Sequence, residues 1–328
     1  MLVDTHAHLN FNAYKEDADE VIRRSLDNNV WMINVGSTYE TSKRAVEIAE
    51  RYEKGVYAAI GLHPIHLNAG LVKIKLDKEE IAFNSREEEF DYKKYKELTQ
   101  SGKVVAIGEI GLDYYYKPKT PHQFREQGQG DALSTGKAYS APGVARKPNG
   151  EISTGQAKIK FEQFKNRQKE VFLQQLELAQ DYNPPTASSH SPKGERAPLN
   201  LPVIFHCRVA HDDLITTLQQ YNNRTIKGVI HCFTGTQEQA EKYLKMGFYL
   251  GFNGLIFKLN FDEIIKETPL DKILIETDCP YLTPPQVEGR NEPIYVKYVA
   301  EEIAKIKNLS FEEIAKITTE NAQRLFGI

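Results

Sequence analysis

Six side chains with divalent-cation chemistry recur at equivalent places along the chain. Asp4-Thr5-His6-Ala7-His8 carries two histidines one residue apart, and Glu109, His206, His231 and Asp278 each stand at or just past the end of a short apolar run. Four imidazoles and two carboxylates are the donor set for two divalent ions. Two ions ~3.5 to 4 Å apart can hold a water between them, lower its pKa toward neutrality and polarise a phosphoryl or acyl oxygen, so a metal-bridged hydroxide is the expected nucleophile. Glu109, with two carboxylate oxygens, is the natural bridging ligand. Asp278 is assigned as ligand to one ion and as the base that takes a proton from the water and passes it to the leaving group. Residues 4, 6 and 8 alternate onto one face of a strand, so Asp4, and likewise Glu276 two residues before Asp278, are expected to orient imidazoles.

Three further motifs offer polar groups to the same place. Gly61-Leu62-His63-Pro64 reads as a turn that aims His63 at the substrate. Arg208, two residues past His206, is expected to meet an anionic substrate. Arg290-Asn291-Glu292-Pro293 reads either as a rim that holds phosphate or metal-site carboxylates, or as a helix cap.

These residues need a scaffold that brings several strand ends together. Eight short, largely apolar runs (2–4, 31–35, 56–60, 104–108, 203–205, 228–230, 248–251 and 273–275) alternate with amphipathic segments such as 14–28, 39–53, 161–181, 211–221 and 237–246. That alternation predicts an α/β protein of the (β/α)8 TIM-barrel class, whose strand C-termini share one rim. A doubly wound sheet is disfavoured because no glycine-rich dinucleotide turn follows the first run. Ser310-Phe311-Glu312-Glu313 has capping-box spacing and Gly327 is placed to end a closing helix.

Composition narrows the class. The chain has 328 residues, 40% hydrophobic and 27% charged, with a net charge of −3. It can bury a sizeable core, and it is too acidic to coat nucleic acid by bulk electrostatics. With no apolar run near the ~20 residues of a membrane helix and no signal-like N-terminus, the expected location is the cytoplasm, with no membrane contact and no obligate protein partner. The three cysteines, Cys207, Cys232 and Cys279, fit neither a disulfide framework nor a CxxC knuckle and read as small buried hydrophobes.

In order along the chain, DTHAHL, GLHP, AIGEIGLDYYY, LPVIFHCR, HCFTG, ETDCPYL and RNEPIYVKYVAEEIA resemble the signatures of the TatD family of metal-dependent hydrolases. The resemblance implies an amidohydrolase-like barrel, divalent metals and deoxyribonuclease activity that trims DNA from the 3′ end. It carries ligand roles onto His6, His8, Glu109, His206, His231 and Asp278, and places His63 near the substrate phosphate. The chain departs from the family at residues 117–160 and 181–200, which intervene where family members have short connections, and at GRNEP, where a short basic stretch is more usual.

DNA is therefore the expected substrate, through a 3′-5′ exodeoxyribonuclease activity. The ion identity, Zn, Mn, Ni or Mg, stays open. The alternative is an ester or amide hydrolase of the same barrel, for example an aminoacyl-tRNA deacylase, because the same nucleophile attacks carbonyl carbon or phosphorus. A lysine-bridged, phosphotriesterase-like site is disfavoured because the fourth strand delivers Glu109. A non-catalytic scaffold should have lost ligands, and all six are present. The segment 117–170 has 11 Lys or Arg against 5 Asp or Glu and could form a basic lip for a phosphate backbone. Six glycines and two prolines within 128–155, and four prolines and three serines within 181–200, predict loops there. Without 117–160 and 181–200, 264 residues remain, close to the ~250 of one barrel, so residues 1–328 are expected to form a single domain with two loop insertions.

Overall fold

In a computed structural model of the chain, which describes residues 1–68, 87–115, 150–182, 200–221 and 226–328, eight parallel strands follow one another around a sheet in sequence order. They are β1 (Leu2–Ala7), β2 (Val30–Val35), β3 (Val56–Ile60), β4 (Val104–Asp113), β5 (Val203–Arg208), β6 (Gly228–Ile230), β7 (Tyr249–Phe252) and β8 (Ile273–Ile275). Ala7 bridges Cys279, just past β8, which brings the two edges of the sheet together into the expected barrel.

The helices are α1 (Ala18–Asp27), α2 (Tyr39–Glu50), α3 (Tyr92–Leu98), α4 (Gly150–Gln180), α5 (His211–Gln220), α6 (Gln237–Lys245), α7 (Asp262–Glu267), α8 (Val296–Lys307) and α9 (Phe311–Phe326). Most form for local reasons. In α1, Ala18, Val21, Ile22 and Ser25 recur at helical spacing and are buried. Thr38 and Thr41 form a capping box on α2, and Ser310 and Glu313 form the expected one on α9, which ends at Gly327 in the left-handed conformation. Among the described residues no helix is long and apolar enough to cross a membrane.

The two faces of the sheet bury different layers. Val3, Ile33, Val35, Ala59, Val105, Ile204, Val229, Tyr249 and Leu274 fill the barrel interior and meet Ala322, Leu325 and Phe326 of α9. Asn321 of α9 donates to the carbonyls of Leu270 and Ile273, and Thr319 to that of Met1, so this helix closes the N-terminal end of the barrel. The opposite end is left for the polar residues.

Two expectations are corrected at element boundaries. The loop expected over 128–155 overlaps α4, which starts at Gly150. Two glycines cost a helix only about 1 kcal/mol each, and the helix-forming run that follows them prevails. Residues 117–149 and 183–199, most of the two expected insertions, lie outside the described residues. The fourth strand extends five residues past its expected end at Gly108 and includes Glu109 and Asp113.

Candidate metal centre

The strand register aims the candidate ligands. Along β1, Leu2, Val3 and Asp4 pair with Val30, Trp31 and Met32, but Ala7 pairs with Asn34, so one extra residue is accommodated between Asp4 and Ala7. A one-residue bulge reverses which face the later residues present. Asp4 therefore does not share a face with His6 and His8, contrary to simple alternation. Its carboxylate accepts hydrogen bonds from Thr277 N–H (2.8 Å), Thr277 Oγ1 (2.5 Å) and His6 N–H (3.2 Å). It thus fastens β1 to the loop carrying Asp278 and orients no imidazole, and burial pushes its pKa up to about 8. A similar shift in β4, between Ile107 and Ile110, delivers Glu109. Beyond it, Gly111 has φ +147°, and a Cβ there would lie 2.1 Å from the carbonyl oxygen of His206, so the two strands close up only around glycine.

All six expected ligands converge. His6 Nε2 and His8 Nε2 are 3.1 Å apart, and each faces Asp278 Oδ1, at 3.9 and 3.3 Å. His8 donates through Nδ1 to the carbonyl of Val35 (2.8 Å), which leaves its Nε2 lone pair facing the pocket. Glu109 occupies the middle. Its Oε2 lies 3.5 Å from His6 Nε2, whereas its Oε1 lies 2.5 Å from His206 Nδ1 and 3.5 Å from both His231 Nε2 and His63 Nε2. The rings of His6 and His231 stack with centroids 3.5 Å apart. Asp278 (φ 57°) and Cys232 (φ 45°) hold non-glycine residues in the left-handed region, strain located at the polar end of the barrel.

The electrostatics match a cation site. Burial works against the charge on Glu109, yet His63, His206 and His231 overcome it and hold its pKa well below the carboxylate range. Burial likewise disfavours charge on His206 and His231, but Glu109 and Asp113 lift the first to about 9, and Glu276 and Glu109 lift the second to about 10. His6 is pushed down to about 4 by burial and by His231. Buried carboxylates that draw protons onto neighbouring imidazoles are compensated equally well by a divalent ion on the same lone pairs. The donor set therefore fits divalent metal: His6, His8 and Asp278 form one group, His6, Glu109 and His231 a second, and His63, Glu109 and His206 a third.

Glu276 stands where an orienting group was expected. Its Oε1 is 2.9 Å from His231 Nδ1 and accepts from Cys232 N–H (2.6 Å) and Asn253 Nδ2 (3.3 Å). A Cβ at Gly251 would sit 2.5 Å from Glu276 Oε2, so glycine leaves room for the carboxylate. His63 is buried beside Glu109 and His206, and its Nδ1 accepts from Ile65 N–H (3.1 Å) at the start of the turn Pro64–Leu67. That bond assigns the proton of the neutral ring to Nε2, which faces the pocket as a donor, so within the third group His63 stands as a hydrogen-bond donor beside Glu109 and His206 and not as a ligand. Arg208 stacks its guanidinium 3.8 Å from the ring centroid of Tyr115.

The RNEP motif is a brace. Arg290 pairs with Asp17 and donates to the carbonyl of Ala13, Glu292 takes a forked pair from Arg24, and Asn291 donates to Thr277 and Tyr281 carbonyls. The cations on the described part of the basic segment are partly engaged too: Lys165 lies over Tyr114 and Phe161, Arg167 pairs with Glu170 and Lys169 with Asp213.

Two residues escaped the sequence reading. Asp113 is buried, with Oδ2 3.1 Å from His206 Nε2. The spacing Glu109-x-Gly111-x-Asp113 on one strand face would have pointed to it. Cys232, expected to be buried like Cys207 and Cys279, is partly exposed and groups with His231 and Asp278.

An eight-stranded barrel with histidines and carboxylates gathered at its strand C-termini is the arrangement of a metal-dependent hydrolase, and the family match and the 39% identical relative place the chain in that class. The chain belongs to the family of TatD related DNases, which it matches over residues 3–145 and 197–327. It is 39% identical to an uncharacterized metal-dependent hydrolase, YabD, of Bacillus subtilis, with all of both chains covered. It is 26% identical to the 3′-5′ ssDNA/RNA exonuclease TatD of Escherichia coli, covering 100% of this chain and 99% of that one. In fold it is similar to the crystal structure of the TatD homologue YJJV of Escherichia coli, with a TM-score of 0.68 at 24% identity over 100% of this chain and 98% of the other.

Proposed function

We propose that the protein is a divalent-metal-dependent phosphodiesterase that shortens DNA from the 3′ end, with His6, His8, Glu109, His206, His231 and Asp278 holding two or more ions. The observation that carries this reading is the placement of Glu109, whose two oxygens face different imidazole groups, so that this one carboxylate would serve divalent ions held on either side of it. A relative 26% identical over the whole chain and named as a 3′-5′ ssDNA/RNA exonuclease supports nucleic acid as the substrate class. Divalent ions bound there, whether Zn, Mg, Mn or Ni, supply Lewis acidity and a water acidic enough to attack near neutral pH.

The chain's own groups then have distinct tasks. Asp278, whose carboxylate is kept ionised by His8 and His231 against the cost of burial, accepts the proton of the attacking water and returns it to the leaving oxygen. His63 donates from Nε2 toward a phosphoryl oxygen, its ring held by the Ile65 amide. Arg208, braced on Tyr115, meets the next phosphate of the backbone.

The test is to incubate the metal-loaded protein with end-labelled single-stranded DNA, duplex DNA, RNA and an aminoacyl ester, with EDTA controls. Loss of nucleotides from the 3′ end of DNA, stopped by EDTA, is expected. Intact DNA alongside a hydrolysed aminoacyl ester would assign the same site to carbonyl chemistry instead.

A further inference from the structure

Asp113 is a buried carboxylate that the chemistry above leaves without a task, and its surroundings are unusually well tied down. Its Oδ1 accepts from Tyr115 N–H (2.9 Å), and its Oδ2 lies 3.1 Å from His206 Nε2. Both polar groups of its own peptide backbone are held by one side chain. Asp113 N–H donates to Gln168 Oε1 (2.8 Å), and Gln168 Nε2 donates to the Asp113 carbonyl (2.9 Å). Gln168 is fully buried on α4.

Two helical turns further along α4 the device recurs. Gln175, also buried, accepts from Leu62 N–H (2.7 Å) and donates to the Leu62 carbonyl (3.0 Å), on the residue just before His63. An amide side chain that spends its donor and its acceptor on one residue fixes that residue both along and across the helix. Seven residues is close to two turns, so one face of α4 grips both strand ends.

His206 is the ring this arrangement governs. It lies between two carboxylates, Glu109 on Nδ1 and Asp113 on Nε2. A histidine that ligates through one nitrogen needs its other N–H satisfied, and the partner that accepts that proton selects the ligating nitrogen. We infer that Asp113 is the positioning residue of the metal centre: by accepting Nε2–H it commits His206 to ligate through Nδ1 on the Glu109 side, and Gln168 holds Asp113 at the distance this requires. This rests on the assignment of Glu109 and His206 as ligands, and it makes α4 the jig that registers β4 and the His63 turn against the pocket.

The test reads the proton and the metal separately. In the Zn-loaded, otherwise unaltered protein, long-range ¹H–¹⁵N correlation, with His206 identified by the signals missing from His206→Gln, should show the protonated nitrogen at Nε2. Protonation at Nδ1 overturns the proposal and would mean that Asp113 and Nε2 face the ion together. Titration with Co²⁺, followed by its visible absorption, should give a Kd about 10 to 100-fold higher for Asp113→Ala than for the parent, with a smaller rise for Gln168→Met. An unchanged Kd in a folded Asp113→Ala also overturns it. Glu109→Ala separates the two levels of the argument: if it has lost Co²⁺ affinity and Asp113→Ala has not, only the positioning role fails, whereas full affinity in both Glu109→Ala and His206→Gln removes the ligand assignment beneath it.

Discussion

Two histidine clusters with opposite characters lie on either side of β5. Inside the barrel, His206 is wedged between Glu109 and Asp113. On the outer side, Cys207 meets the hydroxyl of Tyr243, which in turn lies 3.1 Å from Nδ1 of His211, while Thr234 Oγ1 is 3.4 Å from its Nε2. Burial disfavours the charged ring in both. His206 is nevertheless lifted to about 9 by its carboxylates, whereas His211, with Asp212 too weak to compensate, drops to about 4. Burial of an imidazole is thus no sign of chemistry by itself. The charge of its neighbours decides whether it serves a cation or merely fills and fastens a core.

The widest separation between the clusters should come from Glu109→Ala. It removes the carboxylate that four imidazoles share, and kcat/KM measured with excess metal should fall at least about 10³-fold, roughly 4 kcal/mol of transition-state stabilisation. The circular dichroism spectrum should match the parent, because the barrel core below the pocket is untouched. Activity within tenfold of the parent would dissolve the contrast. Asp278→Asn comes next. It keeps the volume and removes the proposed proton acceptor, so kcat should drop about 10² to 10⁴-fold, the range for loss of a positioned base. Metal content by mass spectrometry should fall less than in Glu109→Ala.

Much of this inner cluster was legible because a barrel forces strand ends onto one rim, so ligand types at run ends were enough to assemble His6, His8, Glu109, His206, His231 and Asp278. What was not legible depends on pairing between strands. The bulge in β1 that turns Asp4 away from His6 exists only in register with β2. Asp113 was hidden because the glycine at 108 reads as a turn that ends the fourth strand, although the strand runs on and Gly111 is there to admit the His206 carbonyl. The outer cluster joins Cys207 and His211, at the end of β5 and the start of α5, to Tyr243 of α6 more than thirty residues on, and no local pattern announces it.

The acid limb of stability should then tell the outer histidine apart. His211 is neutral when folded above pH 4 and has an ordinary pKa near 6.5 when unfolded. Above pH 6.5 it is neutral in both states and contributes nothing. As pH falls from 6.5 to 4 the unfolded chain takes up the proton first, so the folded state loses stability over that window, by at most about 3 kcal/mol. His211→Gln should remove this loss, and urea unfolding at pH 7 and pH 4.5 should show a smaller difference between the two conditions than in the parent. An equal difference would mean that His211 takes no part in the acid response.

The smallest effect is the most discriminating, because it asks whether the outer cluster is structural alone. Tyr243→Phe deletes one hydroxyl, which sits against His211 Nδ1, the His211 carbonyl at 3.4 Å and Cys207 Sγ at 3.9 Å. The ring stays and continues to pack edge-on against Phe233. Loss of one buried hydrogen-bonding group should cost about 1 to 2 kcal/mol in urea unfolding. Cys207 lies next to His206 in sequence but points to the opposite face of β5, so the pocket should not register the change. kcat/KM within about twofold of the parent is expected. A tenfold loss would mean that strain crosses the strand from Cys207 to His206, and that the outer cluster belongs to the site after all.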